Sequence, residues 1–408
     1  MQIIEAAFEI VTPMFIGGAD KTEDPEIRPP SIKGALRFWW RALQWGACLK
    51  QAKGNAEQAL HALHEQEAEL FGAAFKDNKY GQGRILLKLK KSSGKELPAK
   101  KASIPNPSSG QQYLLGQGLY HFKEGLLQSA LESQQTFKVV LKTDNEVDAQ
   151  PIINTLMLFG LLGGLGSRAR KGWGSVAIQS LTYTDKDKNK QNITTPEDKA
   201  SYKNMLTGLL SQLPDEMPPF TAFSKQTRID LSAFTNISAE NLLTNVGNEQ
   251  QMYRSYGKNS GGGHKVSGKE AEQNFKGDHD LVIDFAQREN ITEHPRRIVF
   301  GLPHNYFYSD KTKVDVIAVD TTIPKNKKSR QHRRSSPLFI HIHELAGEYI
   351  AVQSLIKADF LSDKDKIQLE ITTKNDRHKG EKVELSPHIN WNDIITYLER
   401  FKEREQIL

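Results

Sequence analysis

Arg28-Pro29-Pro30-Ser31-Ile32-Lys33-Gly34-Ala35-Leu36-Arg37-Phe38-Trp39-Trp40-Arg41-Ala42 opens a helix whose two sides differ in chemistry. At about 100° per residue, Ile32, Ala35, Leu36, Trp39, Trp40, Leu43 and Ala47 form one apolar stripe, which belongs against a sheet. Both tryptophans are therefore expected in the core. Ser31 stands at the N-cap position of a helix running to about Lys50. Beside the stripe, Lys33, Arg37 and Arg41 recur every four residues, with Gln44 on the same edge. Like charges at this spacing destabilise an isolated helix by about 0.2–0.5 kcal/mol per pair, so the ridge calls for a neutralising partner. That partner is either a phosphate backbone, favoured by the free N–H groups and dipole of the helix N-terminus, or acids elsewhere in the fold.

Outward from this helix, Ile4, Ala6, Phe8 and Ile10 alternate with Glu5 and Glu9, predicting a strand over residues 2 to 11. A second helix is expected from about Ala56 to Phe71. Strands at Arg84 to Lys90 and Thr136 to Lys142 bracket a loop of Lys, Ser, Pro and Gly expected to be mobile. A helix near Pro151 to Leu162 and a strand near Gly174 to Thr184 complete β-α-β-β-α-β, the ferredoxin-like order. Asp185 to Pro219 reads as a connector with a short helix near Ala200 to Gln212, which divides the chain into domains 1–190 and 191–408. In the second, helices are expected near Ala239 to Tyr253 and Asn392 to Glu405. Strands are expected near Leu281 to Phe285, Arg297 to Phe300, Val314 to Val319, Leu338 to His343, Ile350 to Leu355 and Ile367 to Thr372.

The chain has 408 residues, a formal net charge of +6 and one cysteine, Cys48. The charge favours anionic partners weakly; its distribution matters more. Bases without nearby acids fill Arg28 to Arg41, Arg168 to Lys171, and Lys325, Lys327, Lys328, Arg330, Arg333 and Arg334. One cysteine allows no internal disulfide, and no Cys/His set has zinc spacing, which points to a reducing, cytoplasmic setting. No signal core is expected at the N-terminus. The longest apolar run, near Leu156 to Leu165, is about half of the roughly 20 residues that a membrane span needs.

The run Gly160 to Gly174 interleaves Gly163, Gly164, Gly166, Gly172 and Gly174 with Ser167, Arg168, Arg170, Lys171 and Trp173. Glycine permits the close backbone approach of an anion-binding nest, and the bases supply charge; a tight helix-to-strand turn with solvated bases explains the same run. Gly164-Leu165-Gly166-Ser167-Arg168-Ala169 formally fits the dinucleotide fingerprint, but a helix precedes it and a strand follows, the reverse of the required order. Lys171 is followed by Gly172 rather than Ser or Thr, so a P-loop is excluded as well. The Lys325 to Arg334 segment reads as a flexible loop touching phosphates or as a solvated charge run.

Taken together, Pro13-x-Phe15-x-Gly17-Gly18 with residues 28–42, the loop from Gly164 to Gly174, Phe300-Gly301-Leu302-Pro303 and Arg333-Arg334-Ser335-Ser336-Pro337-Leu338 resemble the motifs of a RAMP-superfamily subunit. That subunit lies at the guide 3′-end of type III-B (Cmr) CRISPR effector complexes. The matches fall in order over about residues 1 to 340. The resemblance implies an α+β chain of two ferredoxin-like (RRM-like) βαββαβ units with loop and helical insertions. It also implies binding of guide RNA, contact with target RNA, other Cmr RAMP subunits as partners, and no catalysis of its own. Carried onto this sequence, the RNA-binding set is Arg28, Ser31, Lys33, Gly34, Arg37, Arg41, Gly164, Gly166, Ser167, Arg168, Arg170, Lys171, Trp173, His304 and the six bases from Lys325 to Arg334.

No metal, cofactor or small-molecule substrate is expected. His61 and His64 read as a solvated helix face, and His341 and His343 share a strand face expected toward solvent. His304, next to Tyr306, Phe307 and Tyr308, carries the alternative: a metal-independent, guide-processing endoribonuclease of the RAMP class with a histidine as general acid or base.

Overall fold

Single-residue alternation makes the first strand buried on one side only: in β1 (Gln2–Ile10), Ile4, Ala6, Phe8 and Ile10 are fully buried. The structure, a computed structural model, describes residues 1–17, 24–74, 81–90, 101–104, 106–233, 237–308, 310–324, 327, 330–372 and 380–408. After β1 come α1 (Pro29–Gln51), α2 (Ala56–Phe71), β2 (Ile85–Lys90), α3 (Ser109–Leu115), β3 (Thr136–Thr143), α4 (Gln150–Leu162), β4 (Val176–Thr184) and β5 (Lys190–Ile193). They build an antiparallel sheet of order β2-β3-β1-β4-β5. Helix α3 falls inside the stretch expected to be a mobile loop, and its reciprocal Ser108–Gln111 capping box explains why it holds.

Ser31 is not the N-cap. Arg28 holds that position, and Pro29 and Pro30 fill the first turn, where a missing N–H is harmless. Ser31 is the third helical residue and donates its backbone N–H to the Arg28 carbonyl at 3.0 Å.

The second half continues through α5 (Lys199–Leu209), β6 (Arg228–Ala233), α6 (Ala239–Arg254), α7 (Lys276–Ala286), a 3-10 turn (Arg296–Phe300), β7 (His304–Phe307), β8 (Lys313–Asp320), β9 (Gln331–His332), β10 (Leu338–Leu345), β11 (Glu348–Leu355), β12 (Asp365–Ile371), β13 (Lys382–Leu385), α8 (Asn392–Leu398) and β14 (Arg404–Gln406). Two sheets share these strands. One has the order β10-β11-β6-β14; the other runs β7-β8-β12-β13, with β9 paired to β8. In the first of these, strands two, three, one and four of a β-α-β-β-α-β run lie side by side, which is also the order of β2-β3-β1-β4. The second is inserted and has its own core of Val314, Val316, Leu369 and Ile371 against Val282, Phe285 and Ile298.

Two expected strands are helical. Leu281, Val282 and Phe285 share one face of α7, and the Asp278 carboxylate accepts the backbone N–H groups of Arg296 and Arg297 at 2.9 and 2.7 Å, fixing the 3-10 turn. The closing helix stops at Leu398, because β14 pairs with β6 instead of extending it.

Trp39 and Trp40 lie in the core at 3% and 4% exposure. That core also takes in Ile229, Leu231, Phe339 and Val352 from the second half, so the change of sheet after residue 190 is not a change of core. Burial of β10 on both faces overturns the solvent reading of its histidines, which are 2% and 1% exposed. His341 Nδ1 lies 2.9 Å from the Gly163 carbonyl oxygen and its Nε2 3.2 Å from His343 Nδ1, across the seam between the two halves.

Candidate nucleic-acid interface

Glycine in the 163–174 loop answers to packing within the protein. Gly166 and Gly174 have φ of +85° and +64°, and a Cβ would stand 2.4 Å from the Phe15 carbonyl oxygen or 2.1 Å from that of Leu165. The amides of Leu165, Ser167, Lys171 and Gly174 all donate to backbone carbonyls, so they do not form an open nest. Trp173, carried into the RNA-binding set, is fully buried edge-on against Phe15 at 5.3 Å and supports the loop from below; no base can stack on it there. A Gly174→Ala variant should lose roughly 3 kcal/mol or more of stability, since strain and overlap fall on backbone. Chemical denaturation measures this loss.

The helix ridge is partly neutralised from inside. Glu67 of α2, 3% exposed, accepts from Arg37 Nε at 2.6 Å and Arg41 at 2.5 Å, and Arg37 also donates to the Gly72 carbonyl at 3.1 Å. Sequence reading left phosphate and acid as alternatives, and an acid takes part of the charge. Three bases against one carboxylate still leave an excess. Burial, followed by the neighbouring Arg37, lowers the pKa of Lys33. A groove of about 600 Å³ runs beside Lys33 and Arg37, with Pro29, Pro30 and Gly72 in its walls; Gly34 is exposed. Replacing Glu67 by Gln is expected to cost about 1–3 kcal/mol of stability while raising RNA affinity, because the freed guanidiniums turn to phosphate. Melting and fluorescence anisotropy on the same sample separate the two effects.

Arg170 bridges the halves: its guanidinium carbon lies 5.1 Å from the Phe38 ring centre and 4.6 Å from that of Phe339, and it donates to the Ser336 carbonyl at 3.2 Å. Burial and the nearby Arg334 push it down to about 10. Arg334 donates to the Asp359 carbonyl at 3.1 Å beside the Phe360 ring. Arg330 is not part of a flexible charge run; it is 5% exposed and forms a two-pronged pair with Glu384 at 2.9 and 2.8 Å. Lys327 is exposed, and Lys325 and Lys328 lie outside the described residues. The Nε of Arg28 is buried without a partner among the described residues.

A further concentration of positive charge lies at the seam. Arg168 is exposed, has φ +65° and donates Nε to the Leu115 carbonyl at 2.6 Å. Partial burial and the adjacent Arg333 lower its pKa. Lys171 donates to Gln250 Oε1 at 3.2 Å. Burial, Arg254 and Arg168 hold its pKa well below the usual lysine value. Arg254, ending α6, stacks 4.4 Å from the Phe300 ring centre, and Arg297 donates to the Arg254 carbonyl at 3.0 Å while lying 4.9 Å from that of Tyr306. Burial and the cations Arg297, Arg254 and Lys171 keep His304 well below its usual pKa, and hence neutral.

Among the described residues, no carboxylate forms a salt bridge with Arg168, Lys171, Arg254, Arg297 or Arg333. Sequence reading missed Arg254 and Arg297: each is separated by many residues from the basic stretches, and only folding brings them to Lys171. A cavity of about 1340 Å³ between α1, α4 and α5 has one base, Lys50, against Asp215 and Glu216 in its lining, so it offers RNA no attraction. Among the described residues, no group of three or more His, Cys, Asp or Glu side chains is placed to hold a metal, and no helix is long and apolar enough to cross a membrane.

Residues 7–177 match the family model of the RAMP superfamily. The chain is similar to the CRISPR system Cmr subunit Cmr1-2 of Pyrococcus furiosus, 27% identical over 200 residues that cover 43% of this chain and 96% of that protein. Subunit Cmr1-1 of the same organism is 31% identical over 183 residues, 44% of this chain and 48% of that protein; this alignment thus spans about half of that relative. The crystal structure of Cmr1 from Pyrococcus furiosus in its apo form has a TM-score of 0.50 at 17% identity, covering 100% of this chain and 99% of the other. A chain in the cryo-EM structure of the Type III-B Cmr-beta bound to cognate target RNA has a TM-score of 0.50 at 13% identity, covering 98% of each. At these identities the structural likeness is one of fold.

Proposed function

The chain is a RAMP-superfamily protein related to the Cmr1 subunits of type III-B CRISPR complexes, and on that premise we propose that it is a non-catalytic subunit gripping RNA backbone at the seam of its two halves. The group Arg168, Lys171, Arg254, Arg297 and Arg333 carries this reading: five cations, two of them exposed and three half-buried, meet with no salt bridge to a carboxylate among the described residues. Asp278, beside Arg297, is the acid that offsets part of their charge, so the excess favours an anion. Guide RNA near its 3′ end occupies this seam in the proposal, target RNA passes alongside, and other Cmr RAMP subunits continue the path. The α1 ridge extends the grip, and specificity comes from base pairing rather than from the protein. Each half, with the strand order described above, is read as one ferredoxin-like unit.

For the endoribonuclease alternative, His304 is ringed by Arg297, Arg254 and Lys171 and held neutral, the form of a general base and not of a general acid. Incubating purified chain with guide-repeat RNA, with and without EDTA and alongside His304→Ala, tests the point. Binding without cleavage in every arm supports the proposal, and His304-dependent cleavage overturns it.

A further inference from the structure

Depth orders the cations at the seam. Arg168 and Arg333 are exposed, while Lys171, Arg254, Arg297 and His304 are half-buried. Contacts tie the deeper ones together: Lys171 donates to Gln250 Oε1 at 3.2 Å, one turn before Arg254 on α6, and Arg297 donates to the Arg254 carbonyl at 3.0 Å, with Asp278 offsetting part of the Arg297 charge. Burial and the neighbouring cations lower the pKa values of Arg168, Lys171 and His304. Polar nitrogens at the deep end of the seam have no partner among the described residues: Arg254 Nε, His304 Nδ1, and Nε2 of Gln250, a fully buried side chain whose Oε1 already accepts from Lys171. Buried polar groups are normally satisfied, so three beside one cation cluster call for a hydrogen-bonding anion.

An internal phosphodiester carries one negative charge and continues on both sides, so it suits an open groove. A terminal phosphomonoester has one attachment, three free oxygens and a second ionisation near pH 6, so it can enter a recess and arrive close to doubly charged. Surrounding cations drive that ionisation further. Resting on the RNA-binding reading above, we propose that the deep end of the seam takes the terminal phosphate of an RNA strand. Lys171, Arg254 and Arg297 surround it, and Arg168 and Arg333 hold the next backbone phosphates at the mouth.

Anisotropy with one internally labelled single-stranded RNA, made with hydroxyl ends, a 3′-phosphate or a 5′-phosphate, tests this on the full chain. The expected result is binding at least about tenfold tighter for one phosphorylated form, the worth of one added charge-assisted hydrogen bond. Which form gains identifies the end that is held. Arg254→Gln should abolish the advantage, whereas Arg333→Gln should weaken all three RNAs alike. Equal affinity for all three RNAs overturns the proposal and leaves the RNA-binding reading standing; absence of binding to any overturns both. The comparison on unaltered protein decides even where Arg254→Gln fails to fold.

Discussion

Replacing Lys171 and Arg254 together by Gln is expected to lower affinity for single-stranded RNA by roughly 100-fold or more, since a hydrogen bond to a charged group contributes about 1.5–3 kcal/mol. The salt dependence should flatten as well, its slope falling by about 0.7 for each phosphate that is no longer held. Size of effect distinguishes the seam from the rest of the surface. Lys327 is exposed, and its neutralisation should change affinity by far less than the removal of two half-buried cations. Anisotropy titrations at two salt concentrations measure both quantities. The double variant also relieves like-charge repulsion, so its melting temperature should hold or rise, which separates a binding defect from a folding defect.

Stability should fall steeply as pH drops below about 6.5, the ordinary histidine value, because the folded chain keeps several histidines neutral. His341 is pushed down to about 3 by burial, against a partial offset from the Gly163 carbonyl, and burial and His341 hold His343 well below the usual value. Burial likewise lowers His294 and His304. In each case the unfolded chain takes up a proton at a pH where the folded chain refuses it, so stability is full above about 6.5 and is lost progressively as pH falls toward 3. Paired carboxylates such as Glu5, Asp144 and Asp320 add to the loss only near and below their own range, while Glu9 and Asp278, raised by burial, work in the opposite sense as pH falls, so the histidine share is read from the change a histidine substitution makes. Denaturant unfolding from about pH 7 to 5 should show a slope that His343→Phe reduces. A slope that the substitution leaves unchanged would place that ring in water.

The first half was legible because its signals are local. Alternation in residues 2–10, the stripe of α1 and the glycine-bounded turn after α4 each announce one element and one face, and together they order four strands. The second half interleaves two sheets: β10 and β11 lie between β8 and β12 in the sequence yet pair with each other and, through β11, with β6. Each strand can be read from its own residues, but sheet membership is a long-range property that periodicity does not carry. The site divides the same way. Arg168 and Lys171 stood out through their neighbours in sequence, whereas Arg254 and Arg297 acquire meaning only from what folding puts beside them. Trp173 and Arg330 sat in equally suggestive company, and the fold gives them Phe15 and Glu384 as partners.

Photo-crosslinking of 4-thiouridine RNA to the full chain, followed by mass-spectrometric mapping of the joined peptides, probes the seam most directly. Crosslinks should concentrate on peptides bearing Arg168 to Lys171, Arg254 and Arg297 to His304, and vanish when Lys171 and Arg254 are replaced. Crosslinks confined to the acidic-rimmed cavity between α1, α4 and α5, or unaffected by those replacements, would contradict the account.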